Sequence, residues 1–292
     1  MLYLIATPIG NLGDITYRAV ETLQCCDEVW CEDTRQTAKL LNHLGIKKPL
    51  ISCHEYTQKE KAPQLLDKLR AGLSVVYVSD AGMPGISDPG AGLIQACIEA
   101  GLPYTVLPGP SAVVTAAVLS GLPLDRFLFF GFLPREGAQR RTALADIAAC
   151  GCTAILYESP HRVKDTLSDV LGAAGDCPCA LVRELTKVHE SCHRGLISEV
   201  LAALPQEVKG ECVLLFSVPP RAEAVPTADE MDALLLRLMD HMSLKDAARE
   251  ASQALKLPKK QVYARALELK KRVNEKPAGA SDRLLFCAGY IT

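Results

Sequence analysis

The segment SDAGMPGISDPG, Ser79 to Gly90, follows directly on the apolar run LSVVYV at 73–78, and this junction decides the fold. The run has the length and content of a strand buried on both faces. The residues after it are dominated by Gly, Pro, Ser and Asp. Asp88-Pro89 suits the opening of a helix, because proline in a first turn forfeits no hydrogen bond. Strand, polar loop and helix form the unit from which open parallel sheets are made, and ligands of such sheets sit beyond the C-terminal ends of strands. Glycines in this loop let backbone amides approach a ligand, while its carboxylates and hydroxyls offer polar contacts. A capped strand-to-helix turn would account for Asp88-Pro89 but gives the rest of the loop no purpose.

The same grammar recurs on both sides of this segment. Leu2 to Thr7 reads as a strand, followed by TPIGNLG (7–13) and a helix opened by Asp14. Residues 34–44 suit a helix closed by Gly45. Thr105 to Leu107 ends another strand, and LPGPSA (107–112) opens a helix at Pro110, where Ser111 and nearby amides could bind a polar group. A second cycle begins near Leu124, with strands expected at 125–131, 153–158, 178–185 and 211–218 and helices near 138–149, 160–172 and 196–203. The expectation is an α/β fold: two α/β/α domains with mixed, mostly parallel sheets, at 1–120 and 121–219. After Val218, PPRAEAVPTADE reads as a linker. Helical patterns at about 227–241, 243–255 and 258–273 then make a small helical domain at 227–276.

The chain has 292 residues, 49% apolar and 23% charged, values that exclude whole-chain disorder, collagen or coiled coil. A formal charge of −2 excludes a uniformly basic binder, yet the charge is unevenly spread. Residues 227–292 hold 12 Lys and Arg against 9 Asp and Glu, a net +3 that leaves −5 upstream. The excess lies between Lys256 and Lys276 and includes Lys259 and Lys260. A basic helical appendage on an acidic body fits nucleic acid, and a solvated helical face fits the charge equally well. The N-terminus has no basic leader, Pro8 and Gly10 break its apolar run, and no stretch reaches the roughly 18 apolar residues of a membrane helix. With 12 cysteines over this length, a reduced, cytoplasmic protein without a membrane partner is expected.

Several chemistries lack their motifs. G-x-G-x-x-G, the P-loop pattern and the G-x-S-x-G elbow are missing, which argues against nicotinamide enzymes, P-loop NTPases and serine hydrolases. His189, Cys192 and His193 mix metal-ligand types, but there is no C-x-x-C pair; Cys177 and Cys179 share one strand face as small apolar residues. No metal is expected. GFLPR (131–135), ESPHR (158–162) and RELTK (183–187) each follow an expected strand and could converge on one cleft. Arg135, Arg140, Arg141 and Arg162 are either a phosphate-binding group or solvated surface, and Glu158 and Glu184 could bond loop amides.

In this order and spacing, TPIGNLGDIT, SDAGMPGISDPG, LPGPSA, GFLPR, ESPHR and RELTK resemble the tetrapyrrole methylase superfamily, more closely its ribosomal RNA branch, over essentially all of residues 2–218. KDAAREASQALKLPKKQVYARAL is similar to that branch's helical C-terminal domain, while the tail RLLFCAGYIT matches nothing. The resemblance implies a class III methyltransferase fold, a homodimer, and S-adenosylmethionine bound between two α/β domains. It further implies methylation of the ribose 2′-hydroxyl of a decoding-centre cytidine in 16S ribosomal RNA of the small subunit. By residue it implies cofactor contacts at Pro8 and Gly10, at Asp80, Gly82, Met83, Ile86 and Ser87, and at Ser111 and Ala112. Tyr157, Glu184 and Leu185 occupy cofactor-facing strand ends.

A ribose hydroxyl is a poor nucleophile until its proton is removed or its oxygen polarised. Lys187, Glu184 and Asp33 are the candidate catalytic groups; Lys187 can act as a base if burial or a neighbouring cation lowers its pKa. Arg35 and Arg162 are candidates to hold phosphates. Alignment alone could instead carry the step. Two rivals remain at this point: a corrin-precursor methyltransferase, which has no use for a basic helical module, and a non-catalytic ribosome assembly factor.

Overall fold

The first sheet is built from β1 (Leu2–Ile5), β2 (Glu28–Cys31), β3 (Leu50–Ser52), β4 (Val75–Val78) and β5 (Tyr104–Leu107), all parallel, in the order β3-β2-β4-β1-β5. The computed structural model describes residues 1–220, 227–255 and 257–274, and the chain divides into two units, Met1–Arg221 and Ala222–Thr292. Inner strands β2 and β4 are buried along their whole length, as strands covered on both faces must be. Helices α1 (Tyr17–Cys25) and α2 (Thr34–His43) pack on the face carrying Ile5, Val29 and Val78. Helices α3 (Gln58–Arg70) and α4 (Ala91–Glu99) pack on the face carrying Leu4, Trp30 and Tyr77. β1 and β4 are therefore neighbours whose next helices lie on opposite faces. The chain leaves the sheet in two directions there, which opens a crevice beyond both strand ends.

Helix α5 (Ala112–Ser120) turns its Val113, Ala116 and Ala117 onto Ile155, Ala180, Val213 and Leu215 of the second sheet. The expected boundary at 120 is corrected by this packing, which places α5 with the second half. That sheet comprises β6 (Phe127–Phe132), β7 (Thr153–Glu158), β8 (Pro178–Arg183), β9 (Ser191–Leu196) and β10 (Cys212–Ser217), in the order β6-β7-β10-β8-β9. Its other face is covered by α6 (Gly137–Ala149), α7 (Val163–Ala174) and α8 (Ile197–Ala203) through Ile147, Leu167 and Val200.

The α/β class and the predominance of parallel pairing stand as expected, and the antiparallel ladders all belong to the second sheet. There β10 runs against both β7 and β8, so its first residue, Cys212, pairs with Glu158 and Arg183 at their ends. The beginning of one strand thus meets the ends of two others. Local differences from expectation are small. Asp14 sits in a short 3-10 turn, and α1 is capped instead by Thr16, which accepts the Ala19 N–H at 3.2 Å. Helix α4 starts at Ala91, just after Asp88-Pro89 rather than at it.

The second unit contains α9 (Ala228–Met239), α10 (Leu244–Ala254) and α11 (Lys259–Asn274), close to the expected helices. They share a core of Met231, Leu235, Ala248, Ala251, Val262, Ala266 and Leu269. Thr227 and Ser243 cap α9 and α10 by accepting the N–H groups of Glu230 and Asp246. The tail Arg283 to Thr292 lies outside the described residues. Among the described residues, no helix is long and apolar enough to cross a membrane.

Candidate active site

Thr7 and Gly82 exchange two backbone hydrogen bonds of 2.9 Å, which tie the loop after β1 to the loop after β4. Gly82 has φ +77°, a conformation that residues with a Cβ seldom adopt. The tied loops form one side of a cleft of about 610 Å³, a size common for small-molecule sites. The N-terminus of α5 lines it through Ser111, Ala112 and Val113. The opposing side is the near end of the second sheet: Tyr157 to Pro160, then Glu184, Leu185 and Lys187, then Gly210 to Val213.

Of the residues expected at the cofactor, Gly82, Met83, Ile86, Ser87, Ser111, Ala112, Tyr157 and Leu185 line the cleft. Pro8, Gly10 and Asp80 do not. Ile9 is the lining residue of the first loop, and Gly10 packs outside the cleft against Leu185, Thr186 and Lys187. Asp80 accepts the Asp33 N–H at 3.1 Å. Ile9, Phe132 and Gly210 to Val213 escaped the sequence reading. The rule that ligands meet C-terminal strand ends cannot find 210–213, because antiparallel β10 brings its N-terminal end to the same place.

The turn after β8 is unusual. Glu184 and Thr186 have φ of 51° and 64°, a region costly for residues with side chains and most of all for a β-branched one. Surrounding bonds hold it. Glu184 Oε1 accepts the Glu211 N–H and the Lys187 ammonium, both at 2.9 Å, and Glu190 Oε2 accepts the Thr186 N–H at 2.7 Å. Lys187 also meets Glu211 Oε2 at 3.1 Å.

These contacts set the charges. Burial pushes the Lys187 ammonium down, but hydrogen bonds to Glu184 and Glu211 outweigh it and leave its pKa raised. The Glu211 N–H, with Lys187, holds Glu184 below the usual carboxylate range. The lowered lysine pKa that a base role for Lys187 requires is not found here, and Glu184 Oε1 is already engaged by the Glu211 N–H and the Lys187 ammonium. Asp33 does not line the cleft. It caps α2 through the Arg35 N–H, and the Arg35 guanidinium holds its carboxyl down at about 2. Burial instead pushes Asp88, a lining residue, upward, and Asp80 adds to the shift.

Two of the expected phosphate-binding arginines turn inward. Arg140 is 8% exposed and donates to Asp169, Thr166 and the Pro134 carbonyl. Arg162 donates to the Leu133 and Pro134 carbonyls and lies 3.5 Å from buried Glu158. Both brace the GFLPR turn, so they are corrected from RNA contacts to structural ones. Arg135, Arg141, Lys259 and Lys260 are exposed, and Arg35, 86% exposed, is tied to Asp33.

The cleft has the chemistry S-adenosylmethionine requires. Loop amides with Ser87 and Ser111 suit a carboxylate and ammonium head, and Ile9, Met83, Leu185 and Val213 supply an apolar slot. A Cβ on Gly82 would make only ordinary contact with the Ile9 side chain, at 3.4 Å, so the φ of +77° and not crowding is what favours glycine there.

Residues 1–201 match the model of the Tetrapyrrole (Corrin/Porphyrin) Methylases, and residues 225–270 match the RsmI C-terminal HTH domain. A relative from Escherichia coli O157:H7, named Ribosomal RNA small subunit methyltransferase I, is 43% identical over 271 residues, covering 91% of this chain and 94% of that protein. One of the same name from Halalkalibacterium halodurans is 41% identical over 268 residues, covering 90% and 93%. Diphthine synthase shares the fold with a TM-score of 0.59 at 14% identity, covering 74% of this chain and 89% of its own. Uroporphyrin-III C-methyltransferase from Thermus thermophilus, complexed with S-adenyl homocysteine, gives 0.54 at 20%, covering 74% and 96%. The matched sequence, over both parts of the chain, shows that it belongs to the tetrapyrrole methylase family, with the RsmI-type C-terminal domain appended.

Proposed function

We propose that this protein is an S-adenosylmethionine-dependent methyltransferase of the small ribosomal subunit, acting in the cytoplasm on the ribose 2′-hydroxyl of a decoding-centre cytidine of 16S ribosomal RNA. The observation that carries the reading is the presence, in one chain, of the cofactor-type cleft and a helix with a basic face. On α11 the exposed Lys260, Tyr263, Leu267, Lys270 and Lys271 recur at three- and four-residue steps, so they share a face, with Lys259 at its edge. Arg265 points elsewhere, paired with Asp232 and Glu268. Lysines around an exposed ring suit phosphates and an unstacked base, and a small corrin precursor has no use for them. The relatives named for ribosomal RNA methylation support the same substrate.

When bound, the cofactor supplies an electrophilic methyl group on a sulfonium. The chain aligns and holds. Two of the three Lys187 donors are occupied by Glu184 and Glu211, which leaves the third for a ribose or phosphate oxygen. Phe132, 60% exposed at the cleft and 5.5 Å from the Tyr157 ring, offers an apolar surface to an entering nucleotide. The protein acts as a homodimer, a reading supported by exposed Val114 and Val118 on α5, Tyr104 and Val106 on edge strand β5, and Phe127 and Leu128 on edge strand β6.

The test is methyl transfer from labelled S-adenosylmethionine to small subunits lacking native ribose methylation, followed by mapping of the label. Label on a single cytidine ribose supports the reading. Absence of label, with the cofactor bound and an active relative labelling the same subunits, overturns it.

A further inference from the structure

Transfer to a hydroxyl needs a group that takes the proton, and Lys187 and Glu184 are unsuited to it. We infer that Asp88 is the general base, its carboxylate receiving the 2′-hydroxyl proton as the ribose oxygen attacks the methyl carbon. This assignment rests on the O-methyltransferase reading above.

Glu158, 2% exposed, accepts the Ser159 N–H and the Thr166 hydroxyl and faces Arg162, so its oxygens serve the fold. Glu184 and Glu211 hold Lys187, which keeps its proton. Burial pushes the Tyr157 hydroxyl up to about 12 and the Cys212 thiol up to about 11, so both stay protonated at neutral pH. Asp88 remains. It lines the cleft half-buried, and its carboxylate has no hydrogen-bond or ion-pair partner among the described residues. A desolvated carboxylate without a partner costs stability, and nothing among the described residues uses its oxygens.

Its mounting is rigid. The Asp88 and Pro89 carbonyls both accept the Gly85 N–H at 3.2 Å, and the Gly90 N–H donates to Gln58 Oε1 at 2.9 Å. The titratable groups facing it are Asp80 in the same loop, Glu32 after β2, Tyr77 on β4 and Tyr157 on β7. None is a cation; burial first, and then the Asp80 carboxylate, favour proton uptake at Asp88. In the step, the O–H bond breaks and its proton passes to Asp88. The O–CH3 bond forms, and the C–S bond breaks with its electron pair left on sulfur, giving S-adenosylhomocysteine. Protonated Asp88 then returns its proton to water.

Asp88→Asn retains the shape and removes the basicity. The single-turnover rate on small subunits is expected to fall about 100-fold or more, the scale of a lost general base. S-adenosylhomocysteine binding, measured by calorimetry, is expected to stay unchanged. The acid-side fall of the wild-type pH profile is expected to vanish from the residual activity. The variant's Tm at neutral pH should equal or exceed that of the wild type, and the two should converge as the pH falls through the raised Asp88 pKa. A variant with wild-type rate and an intact acid limb overturns the assignment. So does one that loses S-adenosylhomocysteine binding in step with rate, because Asp88 then binds the cofactor. Wild-type protein that labels no ribose overturns the reading beneath it, a failure visible without any variant.

Discussion

Gly10 approaches Lys187 so closely that a Cβ on the glycine would stand 2.6 Å from Lys187 Cγ. Gly210 has the same relation to Glu184, with a Cβ placed 2.5 Å from the carboxyl carbon. The turn 184–187 is therefore gripped from two sides, by the loop after β1 and by the approach to β10. That grip is what keeps two side-chain-bearing residues at positive φ and fixes one wall of the cleft.

Gly10→Ala must push this turn away. Overpacking of this kind costs about 1–3 kcal/mol, so thermal unfolding should show a lower Tm. S-adenosylhomocysteine affinity should fall as well, because Leu185 moves with the turn. An unchanged Tm and affinity would mean that the loops part without cost.

Lys187→Ala should weaken turnover without moving the pH profile, since the ammonium binds rather than titrates in the working range. Rates measured across pH, with Lys187→Arg as partial rescue, check this. Loss of a titration limb in Lys187→Ala would restore it as a base.

Glu184 carries a pH-linked contribution to stability. Its folded pKa lies below its unfolded value, so the contribution is present above the unfolded value and lost as pH falls through the folded one. Glu184→Gln should be less stable than wild type at neutral pH, and the gap should close on acidification. Paired Tm measurements over pH would show it.

Arg140→Ala is a stability variant. It strips donors from Thr166, Asp169 and the Pro134 carbonyl and should cost about 2–4 kcal/mol, while RNA affinity of the folded protein stays unchanged. Chemical denaturation and a binding titration separate the two effects.

The α11 lysines should show themselves through salt. If each neutralises one phosphate of single-stranded RNA, replacing Lys260 or Lys271 by Ala should lower the slope of log affinity against log salt by about 0.7. Cofactor affinity should not change. A slope identical to wild type in the double variant would remove α11 from the RNA interface.

Much of the architecture was legible in the chain itself. Apolar runs ending in Gly/Pro/Ser loops mark strand, crevice and helix, because both the buried run and the turn chemistry are local. Strands β3 and β9 escaped notice: β3 is three residues long, and β9 reads SCHRGL, with no run of apolar residues. The cleft-lining loops at 82–87 and 111–112 were readable for the same reason as the strands. Arg140 and Arg162, by contrast, read as surface only until the GFLPR turn folds over them.

The α/β class, the loops that line the cleft, the basic C-terminal helices and the family are each written in contiguous residues, and the chain alone carries them. Tertiary structure alone decided that β10 runs antiparallel and delivers Gly210 and Glu211 to the cleft. It also decided that Lys187 sits between two carboxylates that raise its pKa, and that Asp88 has no side-chain partner among the described residues. Register and pKa are set by residues far apart in sequence, through burial and hydrogen bonds that exist only after the sheets have formed.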